Sequence, residues 1–176
     1  MPNADQRVLD MLCTAMEMAE RGQDLYEKAL AACENSLGKE IFSMLKEEET
    51  EHAAKIRETY ESLKMGKDWA EAWSCCRLDP KRTKPIFDKV ADKYGPTKAC
   101  LDELQALNMA LELEDSCIKF YKEGLDKAAD SLEKEFCENM LAEERVHRKI
   151  LSDMQFFYED PAAWFTEKEH PHIDGA

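Results

Sequence analysis

The sequence predicts an all-α fold, a four-helix bundle made of two repeated helical hairpins joined by a long crossover. Three observations point there. Apolar residues recur every three or four positions through most of the chain, the spacing of one buried helix face. No segment shows the run of alternating residues that marks a half-buried strand. The chain also repeats itself: Leu12, Ala15 and Tyr26 fall on Leu107, Ala110 and Tyr121, and His52 on His147, at a single offset of 95 residues without a gap.

In order, the spacing predicts helices over 4–34 and 36–65, then 97–128 and 130–158. The joins ENS (34–36) and ADS (129–131) are short, which makes each pair antiparallel, and Ser36 and Ser131 read as the helix caps. Between the pairs runs a crossover, 66–96, broken by Gly66, Pro80, Pro85, Gly95 and Pro96, with a short helix expected near 84–93. Trp69 and Trp73 sit one turn apart there and are expected to cover a helix end or a dimer surface. The bundle domain is thus 1–158, and 159–176 reads as an irregular tail packed through Trp164 and Phe165.

With 176 residues the chain is long enough for one domain with a sizeable core. Its net charge of −14 argues against nucleic acid and anionic membranes as partners. No apolar run approaches the roughly 20 residues that cross a bilayer, and no export signal is seen. Seven cysteines, none in a Cys-x-x-Cys pair, suit reduced thiols in a cytoplasmic protein. The adjacent Cys75 and Cys76 read as incidental thiols of the connector, with thiol redox chemistry as the other reading. His170 and His172, around Pro171, read as part of a solvated tail.

The chemistry lies in the stripes. Helix two gives Leu37, Ile41, Leu45, Glu49, His52, Ile56, and helix four gives Leu132, Phe136, Met140, Glu144, His147, Leu151, Met154. Helix three gives Leu104, Leu107, Leu111, Glu114, Ile118, Tyr121, Leu125. A carboxylate interrupts each row near its middle, so Glu49 should face the core while Glu47, Glu48 and Glu51 lie on other faces. Each isolated buried charge costs several kcal/mol or more. The three glutamates must therefore be protonated, paired or bound to metal, and the stripes hold no lysine or arginine beside them. His52 and His147 do stand one turn away. That is the arrangement of di-iron carboxylate bundles, Glu-x-x-His on two helices and single glutamates on the others. A single Glu-x-x-His in so acidic a chain reads as a solvated face; two at one repeat offset, each with an interior tyrosine (Tyr26, Tyr121), read as a metal site. The other reading is a metal-free bundle with neutral or hydrated glutamates. The two tyrosines are core residues whose hydroxyls are expected to bond ligand carboxylates.

The segments AERGQDLY (19–26), EEETEH (47–52), ALELEDSCIKFY (110–121), LAEERVH (141–147) and DPAAWF (160–165) resemble the rubrerythrin branch of the ferritin-like superfamily, in its stand-alone form. The resemblance covers essentially the whole chain. It implies two irons per chain, with Glu49 and Glu144 as bridges, His52 and His147 as terminal ligands and Glu114 as a terminal carboxylate. It also implies reduction of peroxide or oxygen in oxidative-stress defence, and a homodimer, in which the long crossover leaves exchange of helices open. Two departures matter. The chain has no rubredoxin domain, so electrons need a separate donor such as a rubredoxin. And the glutamate expected seven residues before Tyr26 is Ala19. Around it, Met16 and Gly22 offer no ligand, Gln23 offers an amide, and Glu20 is a substitute only about 100° around the helix. Two ferrous ions carry +4 and three glutamates −3, so one metal position is expected to bind weakly, completed by water, hydroxide, Gln23 or an external anion. Other divalent metals fit the same donors. A non-catalytic iron-binding or sensing bundle with an incomplete site is the alternative.

Overall fold

The computed structural model describes residues 6–74 and 86–169. Among them the chain is all-α, with no strand: α1 (Gln6–Ala32), α2 (Ser36–Lys64), α3 (Trp69–Ser74), α4 (Ile86–Tyr94), α5 (Leu101–Lys127), α6 (Ser131–Glu159) and α7 (Pro161–Glu169). No described helix is long and apolar enough to cross a membrane. Cys75, Cys76, His170 and His172 lie outside the described residues.

The helix ends correct several expectations. The caps of α2 and α6 are Asn35 and Asp130, not the serines that follow them. The Asn35 side chain accepts from the Gly38 amide at 2.8 Å and that of Asp130 from Leu132 at 2.7 Å. Each oxygen takes a first-turn N–H that has no partner within the helix, leaving Ser36 and Ser131 as the first helical residues. Helix α5 starts at Leu101 instead of 97 because the Thr97 hydroxyl turns back onto the Gly95 carbonyl at 3.0 Å and Cys100 supplies the cap. Gly66 (φ 86°) and Gly95 (φ 68°) end α2 and α4 in the left-handed region that glycine enters freely.

Two short helices were not expected. Asp68 caps α3 through the Glu71 amide at 2.9 Å. Trp73 is buried edge-on against Phe136 at 5.1 Å, with Trp69 tilted on the same ring at 6.0 Å. The pair therefore closes the interior beside the start of α6. The tail is helical from Pro161, with Asp160 accepting from Ala163 N at 2.9 Å. Proline suits a first helical position, since its missing N–H is one the helix would not bond anyway. Trp164 and Phe165 pack on Phe157 as expected.

Helix α1 packs along α2, α5 along α6, and α1 against α5, while α3 and α4 each touch both α2 and α6. The crossover thus lies over the seam between α2 and α6. Two apolar clusters fill the interior. One gathers Tyr26, Leu37, Ile41, Leu45, Leu107 and Leu151; the other gathers Leu12, Ile56, Tyr121, Phe136 and Met140. Between them, at the level where α2 passes from Leu45 to Ile56 and α6 from Met140 to Ile150, sits a buried polar layer.

The inner row of α5 is rotated from the expected one. Glu103, Leu107, Ala110, Glu114, Cys117 and Tyr121 are buried, while Leu104, Leu111, Ile118 and Leu125 are only half-buried. Burying Glu103 is tolerable because three donors meet it: the Cys33 thiol at 2.8 Å, the Asn35 amide at 2.5 Å and the Tyr158 hydroxyl at 2.5 Å. Gly38 makes room for this group, since a Cβ there would stand 3.0 Å from the Tyr158 hydroxyl and closer still to Glu103 and Cys33. Gly38→Ala gains roughly 1 kcal/mol of helix propensity. The overlap should outweigh that gain and leave the variant less stable by about 1–3 kcal/mol in denaturant unfolding; an unchanged or higher stability contradicts this packing.

Candidate metal centre

Helix α2 carries Glu49 and His52 into the polar layer, α5 carries Glu114, and α6 carries Glu144 and His147; all five are at most 4% exposed. Their arrival follows from helix periodicity: Glu49 continues the Leu37, Ile41, Leu45 row, and Glu144 the Phe136, Met140 row. One ligand atom from each of Glu49, Glu114, Glu144 and His147 lies within 4.8 Å of the others. His147 Nδ1 stands 3.2 Å from Glu49 Oε1, 3.7 Å from Glu114 Oε1 and 3.7 Å from Glu144 Oε2. His52 is outside this group of four. Its Nδ1 is 3.8 Å from Glu49 Oε2, and its ring lies nearly parallel to that of His147 with centroids 5.4 Å apart.

Four buried atoms in this layer have no hydrogen-bond partner: Nδ1 of His52 and His147, and Oε2 of Glu114 and Glu144. Leaving a buried polar atom unpaired costs about 1–3 kcal/mol, and more when it is charged. The orphans, two carboxylate oxygens and two imidazole nitrogens, are lone-pair donors of the kinds that bind transition metals, and with Glu49 they make three carboxylates and an imidazole in one cluster with a second imidazole beside it. These residues fit a divalent metal, and the chain's buried Glu/His cluster can bind one.

The electrostatics without metal run the same way. Burial pushes Glu144 well up, and the charges of Glu49 and Glu114 push it further. Glu114 is also raised, by burial and by Glu49, despite the opposing His147. For the histidines burial works against the charged form, but carboxylates outweigh it: Glu48 and Glu49 raise His147 well up, and Glu143 and Glu49 raise His52. Glu49 is held low, its own burial being outweighed by the two imidazoles. The layer therefore takes up protons to neutralise itself, and a cation has to displace them.

The surrounding residues divide. Tyr26 donates its hydroxyl to Glu114 Oε1 and so orients that carboxylate, as expected. Tyr121 is buried against Phe120 and Phe136, and its hydroxyl bonds no ligand carboxylate among the described residues. Gln23 does not reach inward; its amide donates to the backbone carbonyl of Glu49 at 3.3 Å. Glu20 is not a substitute ligand, because it faces solvent and pairs with Arg57 at 2.7 Å. Ala19 is buried at the expected place of the fourth carboxylate. One turn on, Gly22 lets the Glu49 side chain lean against α1, where a Cβ would lie 3.0 Å from Glu49 Cγ and 3.1 Å from Cδ. Glu48 corrects the sequence reading most. It was expected on an outer face, yet its Oε2 lies 2.7 Å from His147 Nε2. The doubled glutamate at one repeat offset, Glu48-Glu49 and Glu143-Glu144, was the signal available for it.

Comparison of the chain with family models, curated proteins and solved structures finds no match.

Proposed function

We propose that the chain is a non-haem di-iron redox protein, a stand-alone relative of the rubrerythrins whose four long helices form the ferritin-like bundle, and that it reduces peroxide or oxygen. The observation that carries this reading is the cluster of Glu49, Glu114, Glu144 and His147, buried and converging within 4.8 Å. Glu49 lies within 4 Å of both imidazoles and Glu144 within 4 Å of His147, and these two are the carboxylates that a metal pair would share. His52 and His147 each offer Nδ1, and Glu114 is oriented by Tyr26. A ferrous pair, when bound, supplies the two electrons that reduce hydrogen peroxide to water. The chain's part is to fix ligand geometry and keep the layer dry between two apolar clusters. Electrons return from a separate donor such as a rubredoxin, and a reducing cytoplasm suits the free thiols Cys13, Cys33, Cys100, Cys117 and Cys137. A second copy of the chain is the other expected partner.

A second reading has its own support. Ala19 offers no ligand, and neither Gln23 nor Glu20 replaces it, which favours an iron-binding or sensing protein without turnover. One experiment separates them. Protein purified without chelator is assayed for iron, titrated anaerobically with ferrous ion, then mixed with peroxide in the presence of a rubredoxin and its reductase. The redox reading expects two unequal affinities, tightening of the weaker one in Ala19→Glu, and sustained peroxide consumption. Stoichiometric oxidation without turnover leaves the sensing reading, and protein that takes up no metal removes both.

A further inference from the structure

Glu48 and Glu143 have no place in the ligand set, yet neither behaves as a solvated surface residue. Their side chains are 11% and 10% exposed, whereas Glu47 beside them is open to solvent. Each precedes a ligand-type glutamate by one residue, and the two are related by the repeat offset, 48 to 143. Each also reaches across the seam to the histidine of the other half. Glu48 of α2 meets Nε2 of His147 on α6 at 2.7 Å, and Glu143 of α6 faces Nε2 of His52 on α2 at 3.7 Å. The opposite ring nitrogen, Nδ1, is in both histidines the buried atom with no hydrogen-bond partner.

We propose that Glu48 and Glu143 are positioning residues that hold a proton on Nε2 of His147 and His52, and so aim each Nδ1 lone pair at the metal layer. A neutral imidazole has one N–H and one lone pair, and the partner of the first decides where the second points. A carboxylate is the strongest acceptor available for that N–H, and it also fixes the ring plane. The near-parallel rings, 20° apart, agree with two imidazoles clamped by the same device. The crossed pattern ties α2 to α6 where their backbones make few close approaches, so metal affinity and the pairing of the halves depend on the same two bonds. Glu48, at hydrogen-bond distance, carries the larger share.

The inference rests on the metal-centre reading, and the test keeps the two apart. Wild type, Glu48→Ala, Glu48→Gln, Glu143→Ala and the surface control Glu47→Ala are titrated with Co2+, following the visible ligand-field bands. Histidine 15N spectra are then recorded on the Zn2+-loaded proteins. Glu48→Ala should lose about 10–100-fold in Co2+ affinity and shift the bands. Glu48→Gln, which keeps an acceptor oxygen, should recover part of the loss, and Glu143→Ala should lose less than Glu48→Ala. Zn2+-loaded wild type should show both protons on Nε2, with that of His147 broadened by exchange in Glu48→Ala. Alanine variants that match Glu47→Ala in affinity and spectrum, beside a wild type that binds Co2+, overturn the positioning role alone. A wild type that binds neither ion overturns the metal reading and this inference with it.

Discussion

Glu144→Met should make the metal-free protein more stable while removing most of the stabilisation that a divalent metal gives the wild type. Glu144 is buried, its Oε2 has no partner, and burial together with Glu49 and Glu114 opposes its charge. Five carboxylates (Glu48, Glu49, Glu114, Glu143, Glu144) crowd two imidazoles, so deleting one negative group relieves the layer. Methionine has a similar volume and leaves no large cavity. Replacing buried ionic groups by well-packed apolar ones is often worth about 1–4 kcal/mol. A gain of about 2 kcal/mol raises Tm by roughly 4–8 °C in a domain of this size. With metal at about 100 times its Kd the wild type should gain about 2.7 kcal/mol, and the variant far less. The order of the two melting curves therefore reverses when metal is added. A variant less stable than wild type in the metal-free state would show that the carboxylate is held by something other than a cation.

The second large effect is in pH. In the metal-free protein the folded pKa values of Glu114 and Glu144 lie above 4.5, and those of His52 and His147 above 6.5. The folded state therefore binds more protons than the unfolded one over this range. Stability from these groups is complete below the unfolded values and is lost as pH rises through the folded ones. Glu49 has the opposite sign. Its contribution is present above 4.5 and fades only as pH falls toward its lowered value, so it is constant from about pH 5 to about pH 8. The stability of the metal-free protein should accordingly fall across that window, by up to about 1.4 kcal/mol per pH unit for each proton difference, and its Tm with it. Metal binding releases the same protons, so affinity should tighten with pH and the metal-induced Tm shift should widen. Melting curves at four pH values with and without Zn2+ check both slopes. A shift that does not change with pH would mean that the ligands carry no protons to displace.

The long helices and the ligand-type residues were legible because a buried face repeats every three or four positions and three such faces carry a glutamate at the same level. The repeat removed the ambiguity that a single acidic motif leaves. What the pattern missed follows from what a single helix can tell. Glu48 is about 100° off the inner row, and its role comes from a histidine on another helix. On α5 two apolar rows compete, and the choice between Leu104 and Glu103 is decided by Cys33, Asn35 and Tyr158, none of them local. Helix α3 is too short to be favoured by its own sequence and owes its place to Trp73 on Phe136. For α7 the local signal is present in the sequence, an aspartate cap followed by proline at the first helical position.

The glutamates away from the metal layer have a separate consequence. Glu133 is buried and gripped by Arg7, at 2.5 and 2.9 Å, where the first half has Gly38 in the matching position. Gly38 in turn vacates the space that Glu103 fills, and the counterpart of Glu103 is Val8. The second hairpin carries both acidic anchors and the first carries neither, supplying instead Arg7, Cys33 and Asn35 as the sockets that receive them. Pairing two copies of the second hairpin would restore a symmetric four-carboxylate centre, but it would strand both anchors without Arg7, Cys33 or Asn35. The two hairpins, alike in their inner rows, are therefore not interchangeable: the second depends on the first to neutralise both of its outer glutamates.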